Sequence, residues 1–173
     1  NNNKRPLPFR STNDPYKIWI SETMLQQTQV KTVIPFYKRW VDKLPTIESV
    51  ATTNIDSLLK LWEGLGYYRR CQNFYHASKI IVEEYKGIIP SDYESFKGLP
   101  GVGDYTAGAV LSISFGIPIP AIDGNVKRVM SRLYGFKHLT RYNETIIYKA
   151  ISRTLKSVNP SDFNQGLMEL GAL

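Results

Sequence analysis

Helical periodicity extends through nearly the whole chain, and no other feature restricts its fold as strongly. Apolar residues recur three or four positions apart in successive stretches, as they do on the buried face of an amphipathic helix. No stretch shows sustained alternation of apolar and polar residues between hairpin signals, so a sheet is not expected. The spacing predicts helices over 15–27, 30–44, 67–85, 104–115, 123–134, 144–158 and 162–173, with shorter ones that end at Gly64 and near Lys97. The sequence therefore predicts an all-α protein.

One segment interrupts the helical pattern. Residues 116–121 read Gly-Ile-Pro-Ile-Pro-Ala, and each proline biases the residue before it towards extended backbone. Because this segment cannot be helical throughout, we expect it to be a crossover between two lobes.

The composition is that of an ordinary globular protein. Of the 173 residues, 42% are hydrophobic and 21% are charged, and no apolar run approaches the ~20 residues of a membrane span. The single cysteine, Cys71, excludes an intrachain disulfide and a cysteine-based metal site within this chain. The first ten residues lack a secretory signal pattern, so an intracellular location is expected. A net charge of +7 suits a partner rich in phosphate, or a basic surface that only maintains solubility.

The stretch SETMLQQTQV places a carboxylate among residues typical of a core. On a helix, Ile18, Glu22, Leu25 and Gln29 share one face, so Glu22 is expected to be buried. Burial of a carboxylate is costly unless the group is paired or used in chemistry. A functional acid and a structural residue satisfied by a hydrogen bond both fit this pattern.

A glycine-containing loop precedes the helix that begins at Asp104. Its glycines, Gly101 and Gly103, allow a tight turn and a close approach to a ligand, and the free N–H groups of the next helix favour an anion. A dinucleotide fingerprint is not expected, because no strand precedes the loop and the glycine spacing differs. Phosphate binding and a plain helix–turn–helix packed through glycines remain as alternatives.

Asp123 stands at the start of another predicted helix. The apolar residues on its predicted buried face are Val126, Val129, Met130 and Leu133. The simplest role of such an aspartate is an N-cap. Together with Glu22 it permits a second role, because cleavage at a sugar anomeric carbon needs an acid for the leaving group and a carboxylate that stabilises the resulting cation. A raised pKa is expected for Glu22 on its apolar face, whereas Asp123, bonded to backbone N–H groups, is expected to remain ionised.

Six segments together resemble the adenine DNA glycosylases of the helix-hairpin-helix DNA glycosylase superfamily. In chain order they are LPFR, DPYKIWISETMLQQTQV, LWEGLGYY, LPGVGDYTAGAV, DGNVKRV and FNQGLMELGAL, which extend over residues 7–173. The hairpin is typical of the superfamily, and MLQQTQV, GLGYY and the non-lysine residue in the hairpin helix indicate the adenine branch. The resemblance implies excision of adenine mispaired with 8-oxoguanine or guanine in duplex DNA, a step of base-excision repair.

The resemblance also implies catalytic roles. Glu22 matches the general acid that protonates adenine at N7 and positions water, and Asp123 matches the carboxylate that stabilises, or transiently bonds to, the sugar carbon. Tyr105 falls where bifunctional relatives carry a Schiff-base lysine, so a monofunctional enzyme that leaves an abasic site is expected. Tyr105 and Asn125 resemble residues that hold the catalytic groups and the flipped sugar in place.

Binding roles follow from the same resemblance. Arg10 and Glu169 resemble polar residues of the adenine pocket. Gln27 matches a wedge inserted into the vacated base stack, and Tyr67 matches an aromatic wedge beside 8-oxoguanine, with ordinary core or helix-start packing as its alternative. The hairpin residues expected to grip the DNA backbone, with a monovalent cation on their carbonyls, are Leu99, Gly101, Val102 and Gly103.

The implied architecture is a two-lobed helix-hairpin-helix glycosylase fold. A six-helix barrel over 15–118 would carry the hairpin, and residues 1–14 and 121–173 would form the second helical lobe. The active-site cleft would lie between them, with Glu22 and Asp123 approaching from opposite lobes. The protein is expected to be a monomer that works with DNA inside the cell, in the cytoplasm or nucleoid if it is bacterial.

A [4Fe-4S] cluster is expected for the family, but its four cysteine ligands would follow the segment GAL and are absent from this chain. Cys71 is not at a ligand position, so no metal ligand is expected within these residues. Two other functions are open. A thymine or uracil mismatch glycosylase would share the hairpin and Asp123 but not LQQTQV, and a non-catalytic helix-hairpin-helix DNA-binding core would use only the hairpin and the charge.

Overall fold

The computed structural model describes residues 7–172, and every regular element in that range is helical. The all-α prediction is therefore confirmed. A short 3-10 turn covers Pro8–Arg10. The α-helices that follow are α1 Pro15–Leu25, α2 Val30–Lys43, α3 Ile47–Thr52, α4 Ile55–Trp62, α5 Arg69–Tyr85, α6 Tyr93–Lys97, α7 Asp104–Phe115, α8 Gly124–Tyr134, α9 Arg141–Thr154 and α10 Pro160–Ala172. None of these described helices is long and apolar enough to cross a membrane.

The start of α1 follows the sequence pattern. Asp14 accepts hydrogen bonds from the backbone N–H groups of Tyr16 at 2.9 Å and Lys17 at 3.4 Å. Pro15 occupies the first helical position, where its missing N–H costs nothing. A proline and a capping carboxylate therefore fix where this helix begins.

The end of α1 differs from the prediction by two residues. Gln26 leaves helical geometry and Gln27 is left-handed, with φ 57°, so the helix ends at Leu25. Gln29 is consequently the exposed N-cap residue of α2 and does not lie on the α1 face. Its predicted place beside Glu22 on that face is wrong, because periodicity alone does not register where a helix stops.

Other details differ in the rest of the chain. Helix α9 begins three residues earlier and ends four residues earlier than predicted. Leu133 is 74% exposed, so its predicted place on the buried face of α8 is wrong, although Val126 and Met130 of that face are buried. The buried residues that pack with these two are Ile147, Ile151, Leu155 and Met168, and Leu133 does not belong to this cluster. Helix α3, which has six residues, was not predicted.

The chain divides into two compact units, the first ending at Val102 and the second beginning at Gly103. The lobes predicted over 15–118 and over 1–14 with 121–173 stay a prediction. Residues 1–6 and 173 of those lobes lie outside the described residues.

Aromatic side chains form the centre of the first unit. The Trp19 ring lies edge-on to Phe74 at 4.7 Å and to Phe96 at 5.0 Å between ring centroids, and Trp40 packs edge-on against Trp62 at 5.6 Å. Each such pair adds about 0.5–1.5 kcal/mol beyond the burial of its surface. Because Trp19 belongs to α1, this cluster holds that helix in the middle of the unit.

A buried hydroxyl links α1 to the end of α2. The Tyr16 hydroxyl donates a hydrogen bond to the carbonyl oxygen of Leu44 at 2.5 Å and accepts one from Nε1 of Trp40 at 3.0 Å. Burial raises the pKa of this phenol well above its usual range. The Leu44 carbonyl oxygen and the Trp40 indole N–H therefore both have a hydrogen-bond partner inside the core.

The second unit is organised around α10, which packs on α7 and α8, while α8 also contacts α9. The apolar residues that make its core are Val126, Met130, Ile147, Ile151, Leu155 and Met168. Residues 116–121 connect α7 to the start of α8 without helical structure, as their prolines predict.

Replacement of Tyr16 by Phe should lower the free energy of unfolding of the first unit by about 1–3 kcal/mol, because it leaves two buried polar groups without a partner. All three tryptophans of the chain, Trp19, Trp40 and Trp62, lie in this unit, so their fluorescence in urea follows its unfolding. The matched control is Tyr68→Phe, whose ring is 44% exposed. Equal urea midpoints for Tyr16→Phe and the parent would contradict the expectation.

Candidate active-site and DNA-contacting residues

Glu22 lies in the second half of α1 and is 7% exposed, so its predicted burial is confirmed. Helix α1 is buried on nearly every side, and Ile18, Trp19, Ile20 and Met24 are each at most 1% exposed. A carboxyl group at this depth has to be paired, hydrogen-bonded or used in chemistry.

Asp123 is the N-cap residue of α8. Its Oδ1 accepts a hydrogen bond from the backbone N–H of Val126 at 2.7 Å, and its Oδ2 accepts one from Nδ2 of Asn125 at 3.2 Å. Two of the predicted site residues, Asp123 and Asn125, are thus in direct contact. The carboxylate is fixed at both oxygens and belongs to the second unit, whereas Glu22 belongs to the first.

A buried asparagine fixes the backbone that leads to Asp123. Asn164, only 1% exposed, donates from Nδ2 to Ser112 Oγ and to the carbonyl oxygen of Ile119, both at 2.9 Å. Its Oδ1 accepts a hydrogen bond from the backbone N–H of Ala121 at 3.3 Å. An extended segment leaves most of its backbone groups without a partner in the segment itself, and the Asn164 side chain supplies partners for those of Ile119 and Ala121.

The same segment approaches α7 very closely at one glycine. A Cβ atom on Gly108 would lie 2.1 Å from the carbonyl oxygen of Pro120 and 2.8 Å from its carbonyl carbon. Only a residue without a side chain permits this contact between two backbones. The position of Asp123, three residues after Pro120, therefore depends on Gly108.

Helix α10 contacts two other predicted site residues. The Tyr105 hydroxyl donates a hydrogen bond to the sulfur of Met168 at 3.3 Å, and a Cβ atom on Gly171 would lie 2.6 Å from Cβ of Asn125. Glu169 follows Met168 on this helix and is half-buried. Tyr105, Asn125 and Glu169 are thus all attached to the second unit, together with Asp123.

The two predicted wedge residues share an unusual backbone conformation. Gln27 and Tyr67 have positive φ values of 57° and 50°, and Lys86 is the one other described non-glycine residue with a positive φ. Such a conformation costs a residue with a side chain about 1–2 kcal/mol. Gln27 is exposed and Tyr67 is 59% exposed, so Tyr67 is not ordinary core packing.

The hairpin loop alternates buried and exposed residues. Leu99 and Val102 are buried, and the N–H of Val102 donates to the carbonyl oxygen of Leu99 at 3.1 Å. Gly101 is exposed with φ 79°, and a Cβ atom on it would lie 2.8 Å from Cβ of Asn73 on α5. Gly103 follows as the N-cap residue of α7. The predicted cation on the loop carbonyls stays a prediction.

Arg10 is the last residue of the 3-10 turn and is half-buried. It belongs to the first unit, whereas Glu169, its predicted companion in a base pocket, belongs to the second.

No group of three or more histidine, cysteine, aspartate or glutamate side chains within residues 7–172 is arranged to hold a metal ion. Burial raises the pKa of the Cys71 thiol to about 12, which disfavours the thiolate that an iron–sulfur cluster needs as a ligand. The described residues therefore do not fit a [4Fe-4S] cluster.

Arg70 and Asn164 are among the buried polar residues that the sequence analysis did not predict. Arg70 occupies the same face of α5 as Phe74, Ala77 and Ile81, and its spacing of four, seven and eleven residues from them could have marked it as a buried cation. Asn164 gave no comparable signal, because its partners lie 43–52 residues away in the chain.

Gly108→Ala should destabilise the second unit by about 1–3 kcal/mol, because the new methyl group meets backbone that has to move. The matched control is Gly166→Ala on α10, where a Cβ atom meets nothing within 4 Å and helix propensity favours alanine. Amide hydrogen exchange read peptide by peptide should rise over 117–126 in the first variant alone. Unchanged exchange in this segment would show that the close approach is not needed.

The sequence matches a known protein family and several of its characterised relatives. The model of the HhH-GPD superfamily of base excision DNA repair proteins matches residues 20–156. Adenine DNA glycosylase from Buchnera aphidicola subsp. Baizongia pistaciae is 43% identical over 170 residues, which cover 98% of this chain and 48% of that protein. Adenine DNA glycosylase from Rattus norvegicus is 41% identical over 180 residues, which cover 98% of this chain and 35% of that protein.

A solved structure of a thermostable thymine-DNA glycosylase is also similar, with a TM-score of 0.89 and 30% identity over 99% of this chain and 80% of that chain. The chain spans half the length or less of the two adenine DNA glycosylases that it matches. Since the family model covers most of the described helices, the chain belongs to the HhH-GPD superfamily of base excision DNA repair proteins.

Proposed function

We propose that this chain carries the catalytic helices of a monofunctional adenine DNA glycosylase, which removes adenine mispaired with 8-oxoguanine or guanine from duplex DNA. The observation that carries the proposal is the unequal environment of two carboxyl groups. Glu22 is 7% exposed on the buried helix α1, whereas Asp123 is partly buried at a helix N-terminus, where both of its oxygens accept hydrogen bonds. Unequal environments suit an acid and an anion that act in one reaction.

In the proposed reaction, protonated Glu22 donates its proton to N7 of adenine. The bond between N9 and C1′ then breaks, and its electron pair leaves with the base. The cationic sugar carbon that remains is stabilised by the Asp123 carboxylate. Water adds to C1′, the Glu22 carboxylate accepts the proton that the water loses, and the products are free adenine and an abasic site.

The absence of strand cleavage follows from Tyr105. A Schiff base with the sugar aldehyde requires an amine, and the phenol at this position instead donates a hydrogen bond to the sulfur of Met168. Tyr105 and Asn125 are assigned to holding Asp123 and the extruded sugar, and Arg10 and Glu169 to contacts with the base.

Duplex DNA is the proposed partner. Extrusion of a base leaves a gap in the stack, and the exposed Gln27 and Tyr67 are assigned to filling it. The exposed Gly101 between buried Leu99 and Val102 suits a close approach of backbone N–H groups to phosphate. The net charge of +7 supports binding to a polyanion.

The thermostable thymine-DNA glycosylase favours a second candidate, since it matches nearly the whole chain with 30% identity. A thymine mismatch glycosylase would use the same fold and Asp123 on a different base. The adenine assignment rests on the higher identity, 41–43%, to adenine DNA glycosylases.

Single-turnover base release from matched duplexes tests these assignments. The central pair would be A:8-oxoguanine, A:G, T:G or A:T. After the reaction, strand breaks would be measured with and without alkali, which cleaves the DNA at abasic sites. We expect release from the first two only, with strand breaks only after alkali. Glu22→Gln should slow release about 10²–10⁴-fold, the usual contribution of a general acid. Binding measured by fluorescence anisotropy should change little.

The matched control is Glu84→Gln, an exposed carboxylate on α5 that should leave the rate unchanged. Release of thymine from T:G in place of adenine would support the second candidate. Tight binding without release of any base would instead indicate a non-catalytic DNA-binding core. Asp123→Asn is expected to slow release as strongly as Glu22→Gln, because the cation then loses its counter-charge.

A further inference from the structure

The buried Arg70 makes five hydrogen bonds, all to neutral oxygens. Its guanidinium donates to the carbonyl oxygens of Thr23 at 3.0 Å, Met24 at 2.7 Å and Gly66 at 3.2 Å, to that of Gln26, and to Oγ1 of Thr28 at 3.1 Å. The group is 9% exposed and also lies over the rings of Trp62 and Tyr67, at 5.5 and 5.3 Å from their centroids. A buried cation that is bonded only to carbonyl and hydroxyl oxygens is costly, so its position calls for an explanation.

Part of that explanation lies at the end of α1. The carbonyl groups in the last turn of a helix have no partner within the helix, and they form the negative end of its dipole. Helix α1 has no basic residue in its own last turn. Arg70 supplies the cation from α5 and donates hydrogen bonds to the carbonyl oxygens of Thr23 and Met24.

The remaining contacts join two separate loops. Arg70 binds the carbonyl of Gln26, directly before left-handed Gln27, and the carbonyl of Gly66, directly before left-handed Tyr67. These are the peptide groups whose orientation decides where the next side chain points. The Gly66 carbonyl also accepts a hydrogen bond from Nε1 of Trp62 at 2.9 Å. One guanidinium therefore bridges the two disfavoured conformations and leaves both side chains exposed.

We propose that Arg70 is a positioning residue for base extrusion, which holds the Gln27 and Tyr67 loops in one fixed arrangement so that both side chains meet the duplex together. This inference rests on the proposed function, which assigns those two side chains to the gap in the base stack. The planar fork of an arginine can reach oxygens of both loops at once. A lysine keeps the charge but lacks the two terminal nitrogens with which Arg70 reaches Gln26 and Gly66, so we expect it to hold both loops less firmly.

The test compares Arg70→Lys with Arg69→Lys, a matched control on the next residue, whose side chain is exposed. Amide hydrogen exchange is followed over 24–28 and 65–68. DNA distortion is read from the fluorescence of 2-aminopurine placed opposite 8-oxoguanine, which brightens when the base leaves the stack. Adenine release is measured from an A:8-oxoguanine duplex and from the same strand alone, where extrusion costs least.

We expect Arg70→Lys to raise exchange in both segments together and to reduce the 2-aminopurine response. Release from the duplex should fall at least ~10-fold, and release from the single strand by no more than about threefold, because only the duplex requires extrusion. Arg69→Lys should match the parent in every measurement. Tryptophan fluorescence in urea shows whether Arg70→Lys remains folded, and Arg70→Gln, which keeps a planar donor without charge, is the substitute if it does not.

Unchanged exchange in either segment would overturn the inference, because the two loops would then not share a clamp. Equal losses on duplex and single strand would also overturn it, since they indicate a general structural role. If the parent brightens 2-aminopurine but releases no adenine, the proposed function fails while the positioning role stands. A parent that never brightens 2-aminopurine overturns the positioning role itself.

Discussion

The burial of helix α1 on nearly all sides is the constraint on which the first unit depends. Edge-on packing of Trp19 and the hydrogen bonds of Tyr16 hold this helix in the centre of an aromatic core. Central placement also brings a carboxyl group, Glu22, away from water. It also leaves the carbonyl groups at the end of α1 inside the protein, where another element has to satisfy them, and Arg70 does so.

The second unit fixes its carboxylate by a different physical means. No buried cation is involved in the described contacts of Asp123, which come from the backbone N–H of Val126 and from Asn125. The backbone around Asp123 is held in place by close contacts between elements, since Gly108 and Gly171 leave no room for a methyl group against Pro120 and Asn125. Asn164 then satisfies the extended backbone between α7 and α8. An aspartate held in this way has little freedom to relax when charge develops beside it, which is what electrostatic stabilisation of a cation requires.

Many of the helices and the burial of Glu22 could be predicted from the sequence, and the features that could not be predicted have physical reasons. Asp14 and Pro15 gave the start of α1, apolar spacing gave the long helices, and the burial of Glu22 followed from its neighbours. Periodicity failed for Gln29 and Leu133 because it carries no information on where a helix stops or how far its partners extend. The contacts of Asn164 and all but one of the hydrogen bonds of Arg70 involve residues more than 40 positions away, and local patterns cannot show such pairs. Left-handed Gln27 and Tyr67 were also invisible, because neither residue type favours that conformation.

The arrangement at the end of α1 places the proposed acid and one proposed wedge residue on either side of the same helix end. Glu22 lies three residues before the helix ends at Leu25, and Gln27 lies two residues after it. Arg70 binds carbonyl groups on both sides of that boundary, at Met24 and at Gln26. A displacement of the Gln27 loop therefore acts on the turn of helix that carries Glu22, because the two share one set of hydrogen bonds. If Gln27 enters the stack and Glu22 protonates the extruded base, the Arg70 guanidinium keeps these two side chains at a fixed distance and orientation from each other. A base pair that does not admit Gln27 would then also present its base less favourably to Glu22.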